Sequence, residues 1–494
     1  MKRTAQTATI ENPLASETTR IRPLPTAKDA HLDRSARVYV NRNLRLASIG
    51  AIGFDLDHTL AHYDPVPVER LAFRLTQEKL VAKKGYPEGI LSIGYDPEFV
   101  IRGLVVDRRR GNLLKMDYHN YVSRACHGRR ILSPEERKRA YRRRRIRLSH
   151  EAYVSVDTLF HLPEVYAYAS LVDFLEAGGK RIDAWQLYAD VREAIDEAHA
   201  DGSIKSQIMA KPGSFIREDP HLAAVLEEFR RNGKRLFLLT NSEMYYTDAL
   251  LSHMFRNDLH GRGSWKEFFD LIIVQSRKPG FFLNPGGRDM LPRPLDAEGT
   301  NPPVLAGGDA AFLEKKLGFR GDQILYFGDH TYGDILRSKK SLGWRTAMIL
   351  TELDHEIATT ERIKDGLRSL HEIGARRDEL VVRKVAMARA IRRLAEKSGA
   401  DRAAAEIASL EDEMARSDAE ILGLERDAVA LDARLAAEYN RHWGPLFRER
   451  SETSRFGHQV KDFACLYSGR VSNFLNYPWD HYFQSPGSFM PHEL

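Results

Sequence analysis

The sequence predicts an α/β fold in which a mostly parallel sheet carries chemistry at its strand ends, with a large insertion after the first such strand and a helical hairpin near the C-terminus. Three observations predict it. Apolar runs of strand length recur, and four of them end in carboxylate, hydroxyl, amide or lysine side chains, at the place where open α/β sheets bind their ligands. About 180 residues separate the first of these runs from the second, far too many for a loop. The stretch from Ile373 to Tyr439 is rich in Ala, Glu, Arg and Leu and holds no proline.

Composition sets the bounds. A chain of 494 residues with 43% apolar content can bury a large core, and its length allows about two to four domains. No window approaches the eighteen apolar residues of a membrane span, and the start of the chain lacks the apolar segment of a signal peptide, so no membrane partner and a cytoplasmic location are expected. Cys126 and Cys465 give neither a disulfide framework nor a zinc pattern, which suits a reducing compartment. Residues 1–36, rich in Thr, Ser and Pro and without apolar periodicity, read as a flexible arm.

The first strand begins near Ile49 and ends in Phe54-Asp55-Leu56-Asp57-His58-Thr59. Past a strand end the loop can turn two carboxylates toward one hole, where a hard divalent cation such as Mg²⁺ offsets their repulsion. That arrangement makes Asp55 a nucleophile toward a phosphoryl group, Asp57 an acid and base toward the leaving oxygen, and Thr59 a hydroxyl that fixes the loop and bonds phosphate. The second run, Arg235 to Leu239, ends in Thr240-Asn241-Ser242, neutral groups suited to phosphate once a metal supplies charge. The third, Leu271 to Val274, leads to Lys278, a point charge for the phosphoryl oxygens. The fourth ends in Gly328-Asp329, followed by Asp334. Asp329 completes a metal set with Asp55 and Asp57, and Asp334 orients Lys278 or a metal-bound water.

Each of these segments alone reads as an ordinary turn or surface lysine. In this order, Asp-x-Asp-x-Thr, Thr-Asn, Lys-Pro and Gly-Asp-x-x-x-Gly-Asp resemble the haloacid-dehalogenase (HAD) phosphohydrolases. Finer matches, among them Arg102-Gly103-Leu104-Val105, Gly111-Asn112-Leu113-Leu114-Lys115, Thr158-Leu159-Phe160, Gly343-Trp344-Arg345-Thr346 and Met490-Pro491-His492-Glu493, resemble the cytosolic purine 5′-nucleotidase family that prefers IMP and GMP. The resemblance runs from about Val38 to the C-terminus. It implies a HAD-like, Rossmann-type core over 37–75 and 206–372, with a specificity cap over 76–205.

Within that insertion Arg192, Asp196 and His199 share one helix face. Read by itself, this is a routine surface ion pair. The resemblance implies instead that Arg192 and Asp196 read the purine edge, that Phe160 stacks on the base and that Lys205 reaches the phosphate. Arg can donate to the O6 and N7 acceptors of a 6-oxopurine, and Asp can accept from a ring N–H, a pairing adenine cannot match. His161 stands where the family carries Asn, which alters the base edge and with it the ranking of GMP against IMP; with His199 it completes the expected base site. The resemblance also suggests an effector site at Arg147, Tyr332 and Lys340, although Asp157 places a carboxylate where a neutral amide is expected.

Arg137 to Arg147 packs eight cations into eleven residues after the helix start Ser133-Pro134-Glu135-Glu136. A solvated helix face, or an anion or oligomer contact, accounts for it better than nucleic acid. Beyond the core, residues 373–440 read as two antiparallel helices, with Ile407, Leu410, Met414, Ser417, Ile421, Leu424, Ala428, Leu431 and Leu435 along a heptad seam. The segment 441–494 is too aromatic for a tail and should pack on the core or on a partner subunit. The expected activity is Mg²⁺-dependent hydrolysis of purine nucleoside 5′-monophosphates through an aspartyl-phosphate, with a nucleoside as second acceptor in a phosphotransfer variant. The expected partners are that substrate and further copies of the chain, as dimer or tetramer. The alternatives are a HAD-fold binding protein of weak activity, which the full set of Asp55, Asp57, Thr240, Lys278 and Asp329 argues against, and a phosphatase of another ester.

Overall fold

A computed structural model describes residues 32–142, 146–179, 181–283, 291–297, 299–396 and 400–487, the side chains of 400–403 excepted. Most of the expected N-terminal arm, three arginines of the basic run, the turn at Ser398-Gly399 and the terminal Met490-Pro491-His492-Glu493 lie outside the described residues.

Six parallel strands make the centre of the molecule: β1 (Ala51–Phe54), β2 (Arg235–Leu239), β3 (Leu271–Val274), β4 (Val304–Ala306), β5 (Ile324–Gly328) and β6 (Arg345–Ile349). Their order in the sheet is β6-β5-β1-β2-β3-β4. Leu466–Ser468 adds beyond β6, Tyr39–Val40 beyond that, and Arg293–Pro294 closes the other edge, giving nine strands. Strands β1, β3 and β5 are buried along their whole length, which explains why they read as continuous apolar runs rather than as alternating patterns. Chain order reverses on either side of β1, so the residues after it stand at the switch point of the sheet. Register brings Ile52 opposite both Leu236 and Leu325. Gly53 is needed there, because a Cβ would sit 2.1 Å from the Phe237 ring.

The insertion is a five-stranded antiparallel sheet in the order Arg130–Ile131, Val122–His127, Asn112–Met116, Val105–Asp107, Tyr153–Ser155. Three helices accompany it: α1 (Pro65–Lys84), α2 (His161–Ala177) and α3 (Ala184–Ala200). Helix α1 starts at a proline and stops at Gly85, whose φ of 69° ends the helix in the left-handed region. It runs unbroken across residue 75, and α4 (Ser203–Ala210) runs across residue 205, so the joints between core and insertion are helices rather than linkers. The Ser133 capping box is present at the start of Pro134–Tyr141.

Two long helices, α5 (Lys364–Glu396) and α6 (Ala400–Tyr439), lie antiparallel, as the ion pairs Arg376–Glu420, Arg383–Glu413 and Lys384–Asp418 show. Helix α5 begins nine residues before Ile373. Along the seam Ser417 and Leu435 are buried and the other expected positions are half-buried. The aromatic C-terminal segment packs on its own core: Tyr467 stacks on Tyr39 at 5.2 Å, and Tyr477 accepts from the Val38 amide at 3.0 Å. Cys126 and Cys465 are buried free thiols. Among the described residues no helix is long and apolar enough to cross a membrane.

Candidate active site

The loop that leaves β1 sends its two aspartates to different neighbours. The Asp55 amide donates to the Phe327 carbonyl at 2.9 Å, extending the ladder to β5 by one step, and its own carboxylate accepts from the Leu56 amide at 2.8 Å. Lys278 reaches the same carboxylate at 2.8 Å, Asp334 at 2.7 Å and the Tyr326 hydroxyl at 3.0 Å, so one buried ammonium bridges two carboxylates. The loop carrying Lys278 is templated by Asn241, whose side-chain oxygen accepts from the Ser276 hydroxyl and the Lys278 amide, while its NH₂ donates to the Lys278 carbonyl. Asp334 comes from a single π turn, Thr331–Leu336, that His330 caps by accepting from the Tyr332 and Gly333 amides. It packs against Gly328, where a Cβ would lie 2.6 Å from that of Asp334.

Asp55, Asp329 and Asp334 place one carboxylate oxygen each within 4.8 Å of one another, all buried. Burial pushes the Asp55 carboxyl well above its ordinary range; Lys278 opposes this, and Asp334, Asp329 and Asp57 add to it. Burial and the Asp334 charge push Asp329 up to about 8. Burial pulls Lys278 down, but Asp334 and Asp55 outweigh it and hold the ammonium well above its usual value. Three carboxylates against one ammonium leave the cluster short of positive charge, and the Asp329 Oδ2 atom is buried without a hydrogen-bond partner. A hard oxygen donor set of this kind fits Mg²⁺.

This group differs from the expected metal set: the Asp57 carboxylate lies outside it and that of Asp334 inside. Asp57 accepts from the Tyr63 hydroxyl at 2.6 Å and from Ser242 Oγ at 2.7 Å, and its charge still acts on Asp55 and Asp329. Tyr63 in turn shares a hydrogen bond of 2.8 Å with Tyr246. Thr59 and Thr240 are also expected at the phosphate. Both are fully buried and lie off the cavity wall. Thr240 accepts from the Ser242 amide at 3.0 Å and so shapes the loop that presents Ser242.

One cavity of about 380 Å³ joins these groups to the insertion, with Phe160, His161, Arg192, Asp196, His199 and Lys205 on its wall. The Phe160 ring is held edge-on by His58 at 4.6 Å and by His199 at 5.7 Å. Arg192 pairs at 2.9 Å with Glu164, a side chain 1% exposed, and only at 3.8 Å with Asp196, which is 64% exposed at the rim. His161 Nε2 lies 3.3 Å from both terminal nitrogens of Arg192. Burial, reinforced by Arg192, lowers His161 to about 3; burial, with Lys205 and Arg192, lowers His199 to about 4. Both rings are therefore neutral, and His161 Nε2 serves Arg192 as an acceptor. Lys205 is ion-paired with Glu243.

The residues expected at a second, effector site have neighbours of their own. Tyr332 borders the catalytic cavity itself with Arg337 over its ring at 4.3 Å, Lys340 lies over Phe463 at 5.1 Å, and Arg147 is exposed on the insertion. Sequence reasoning missed Tyr63, Tyr246 and Glu164. The last was within reach, since it follows Phe160 and His161 by one helical turn and so shares their face. A further strut comes from Arg102, buried, which donates twice to Glu352 at 2.6 Å and once to the Asp329 carbonyl at 2.8 Å.

The profile of the 5' nucleotidase family matches residues 38–494. A 5'-nucleotidase domain-containing protein of Dictyostelium discoideum is 26% identical over 481 residues, 92% of this chain and 75% of that one. The rat 5'-nucleotidase domain-containing protein 2 is 28% identical over 480 residues, covering 93% and 80%. Solved structures with similarity include CbbY from Rhodobacter sphaeroides in complex with phosphate, at 17% identity, 61% and 86% coverage and a TM-score of 0.25. A predicted phosphoglycolate phosphatase from Haemophilus somnus gives 12%, 61%, 85% and 0.28. Since the family profile takes in all but the first stretch of the sequence, and the strand ends of the sheet carry the residues such chemistry requires, the chain belongs to the 5' nucleotidase family and is a phosphoric monoester hydrolase.

Proposed function

We propose that the protein is a Mg²⁺-dependent 5′-nucleotidase of the cytoplasm that acts on 6-oxopurine nucleoside monophosphates, IMP and GMP. The observation that carries this reading is a single cavity with a buried carboxylate and ammonium cluster at one end and Arg192, braced by Glu164, at the other. Two buried free thiols accord with a reducing compartment.

Asp55, Asp329 and Asp334 are the side chains that would hold the metal, whose chemistry is to neutralise charge on the phosphoryl oxygens. Asp55 attacks phosphorus in line while the bond to the ribose 5′ oxygen breaks. Asp57 delivers the proton that the departing oxygen needs. Its own position is fixed by Tyr63 and Ser242, one hydroxyl on each oxygen. Lys278 meets the negative charge that develops on the phosphoryl group. Water then attacks the aspartyl-phosphate and gives its proton to Asp57, which returns both aspartates to their starting states. A nucleoside 5′-hydroxyl in the place of water would make the same site a phosphotransferase.

At the far end Phe160 offers a face for the base, Arg192 donates to O6 and N7, and Asp196 at the rim accepts from the ring N–H. A buried polar site rejects the mismatched base because its groups would be left unpaired.

Phosphate release with Mg²⁺ across IMP, GMP, AMP, CMP, UMP and simple sugar phosphates tests this, with Asp55→Asn as the blank. Turnover confined to IMP and GMP supports the reading. Equal turnover of AMP or of sugar phosphates would remove the base site, and activity in the blank would remove Asp55 as nucleophile.

A further inference from the structure

A second cleft, about 660 Å³ in volume, shares the Tyr63 wall with the catalytic cavity. It is framed by α1, by the approach to the insertion at Pro97 to Arg102, by the helix Leu353–Arg362 and by the base of α6. Its charge is out of balance. Each of its four arginines is already paired: Arg102 with Glu352, Arg217 with Asp64, Arg441 with Asp96 and Arg470 with Asp354. Three of its carboxylates have no such partner. Glu69 is 6% exposed and receives only the Tyr95 hydroxyl, at 2.8 Å. Glu356 accepts from the Leu446 amide at 2.8 Å. Asp219 accepts from the His221 amide through Oδ1 at 3.1 Å, and its Oδ2 atom is buried without a partner, as is His62 Nε2 on the same wall.

We propose that this cleft is a second ligand site, separate from the catalytic cavity, that takes an organic cation carrying two or more ammonium groups joined by methylene chains. Unspent carboxylates among fully paired arginines select positive charge over negative. Their placement selects an extended cation over a metal ion. Glu69, Asp219 and Glu356 sit on three different elements, and among the described residues the one group of carboxylates close enough to share a metal is Asp55, Asp329 and Asp334. Between the acids, Val66, Val100, Leu159 and Leu162 give the wall an apolar surface suited to methylenes. Burial pushes the Glu69 carboxyl up to about 8 and Glu356 up to about 7, so each gives up its proton only when a ligand ammonium arrives beside it. The site also touches the machinery beside it at two points: the Tyr63 hydroxyl holds Asp57, and the Arg102 guanidinium spans Glu352 and the Asp329 carbonyl.

Isothermal titration of the full chain with spermidine at fixed ionic strength tests the site without reference to catalysis. One saturable equivalent is expected. Asp219→Asn, which keeps the Oδ1 acceptor for the His221 amide, and Glu69→Gln should each weaken it about tenfold, close to 1.4 kcal/mol. Glu411→Gln on the exposed face of α6 should leave it unchanged. Thermal unfolding of each variant verifies the fold, and either cleft variant suffices if the other fails to fold. Absence of saturable binding, equal weakening by Glu411→Gln, no effect of the cleft variants, or competition by Mg²⁺ at matched ionic strength would overturn the proposal.

Discussion

The guanidinium of Arg192 stands 2.9 Å from the carboxylate of Glu164, which is 1% exposed and lines the same cavity. A buried acid that pins an arginine without leaving the wall of a cavity fixes the direction in which the remaining N–H groups point. Burial raises the Glu164 carboxyl and Arg192 counters that rise.

Glu164→Gln should therefore loosen Arg192 and raise KM for IMP and GMP about tenfold, the loss of one close buried ion pair. Turnover of a small phosphate ester that has no base should be untouched. Steady-state kinetics on both substrates decides it; a parallel loss on the small ester would mean that Glu164 merely supports the fold.

Tyr63 and Ser242 each donate to one oxygen of Asp57. With either hydroxyl removed, Asp57 can rotate out of line with the leaving oxygen. Tyr63→Phe and Ser242→Ala should each lower kcat about tenfold to a hundredfold, the range for a misplaced acid–base group, and leave KM near its starting value. A change carried wholly in KM would argue against this role.

Metal dependence has a structural readout. Mg²⁺ at a hundredfold excess over its Kd should stabilise the fold by about 2.7 kcal/mol, seen as a rise in Tm. Asp329→Asn should abolish that rise together with phosphate release, and chelation of the wild type should do the same reversibly. A metal-induced rise that survives Asp329→Asn would move the ion elsewhere.

Glu69 gives the protein a pH dependence of unusual sign. Its carboxyl is raised from 4.5 to about 8, so the folded state holds a proton that the unfolded chain has released. The contribution to stability is complete below the unfolded value and is lost as pH climbs toward 8, after which it is level. Tm measured from pH 5 to 9 should fall over that window, and Glu69→Gln should flatten the fall. An unaltered profile in the variant would assign the slope to other groups.

Much of the catalytic end was legible because it is written locally. A buried strand followed by Asp, Lys or Gly-Asp puts the group at the sheet edge whatever the rest of the chain does, and Asp55, Lys278 and Asp329 stand there. The direction in which a carboxylate then turns is not local. Asp57 leaves the cluster because Ser242, 185 residues away, donates to it. Asp334 enters it because a π turn and a glycine bring it under β5. Glu164 and Tyr63 were silent for a similar reason: a glutamate in a helix and a tyrosine after a strand have many ordinary explanations, and only the packing of the insertion on the core chooses among them. The ends of α1, α4 and α5 escaped notice because nothing in the sequence stops a helix at residues 75, 205 or 373.

At 1.5 Å per residue, the 40 residues of α6 make a rod roughly 60 Å long, and most side chains of the hairpin beyond its base are exposed. A particle with such an antenna tumbles and diffuses more slowly than a sphere of equal mass. On a column calibrated with compact standards a lone chain of 56.4 kDa would elute early and pass for a larger assembly. The number of chains in solution is therefore to be counted by light scattering or sedimentation equilibrium, which weigh the particle without regard to its outline.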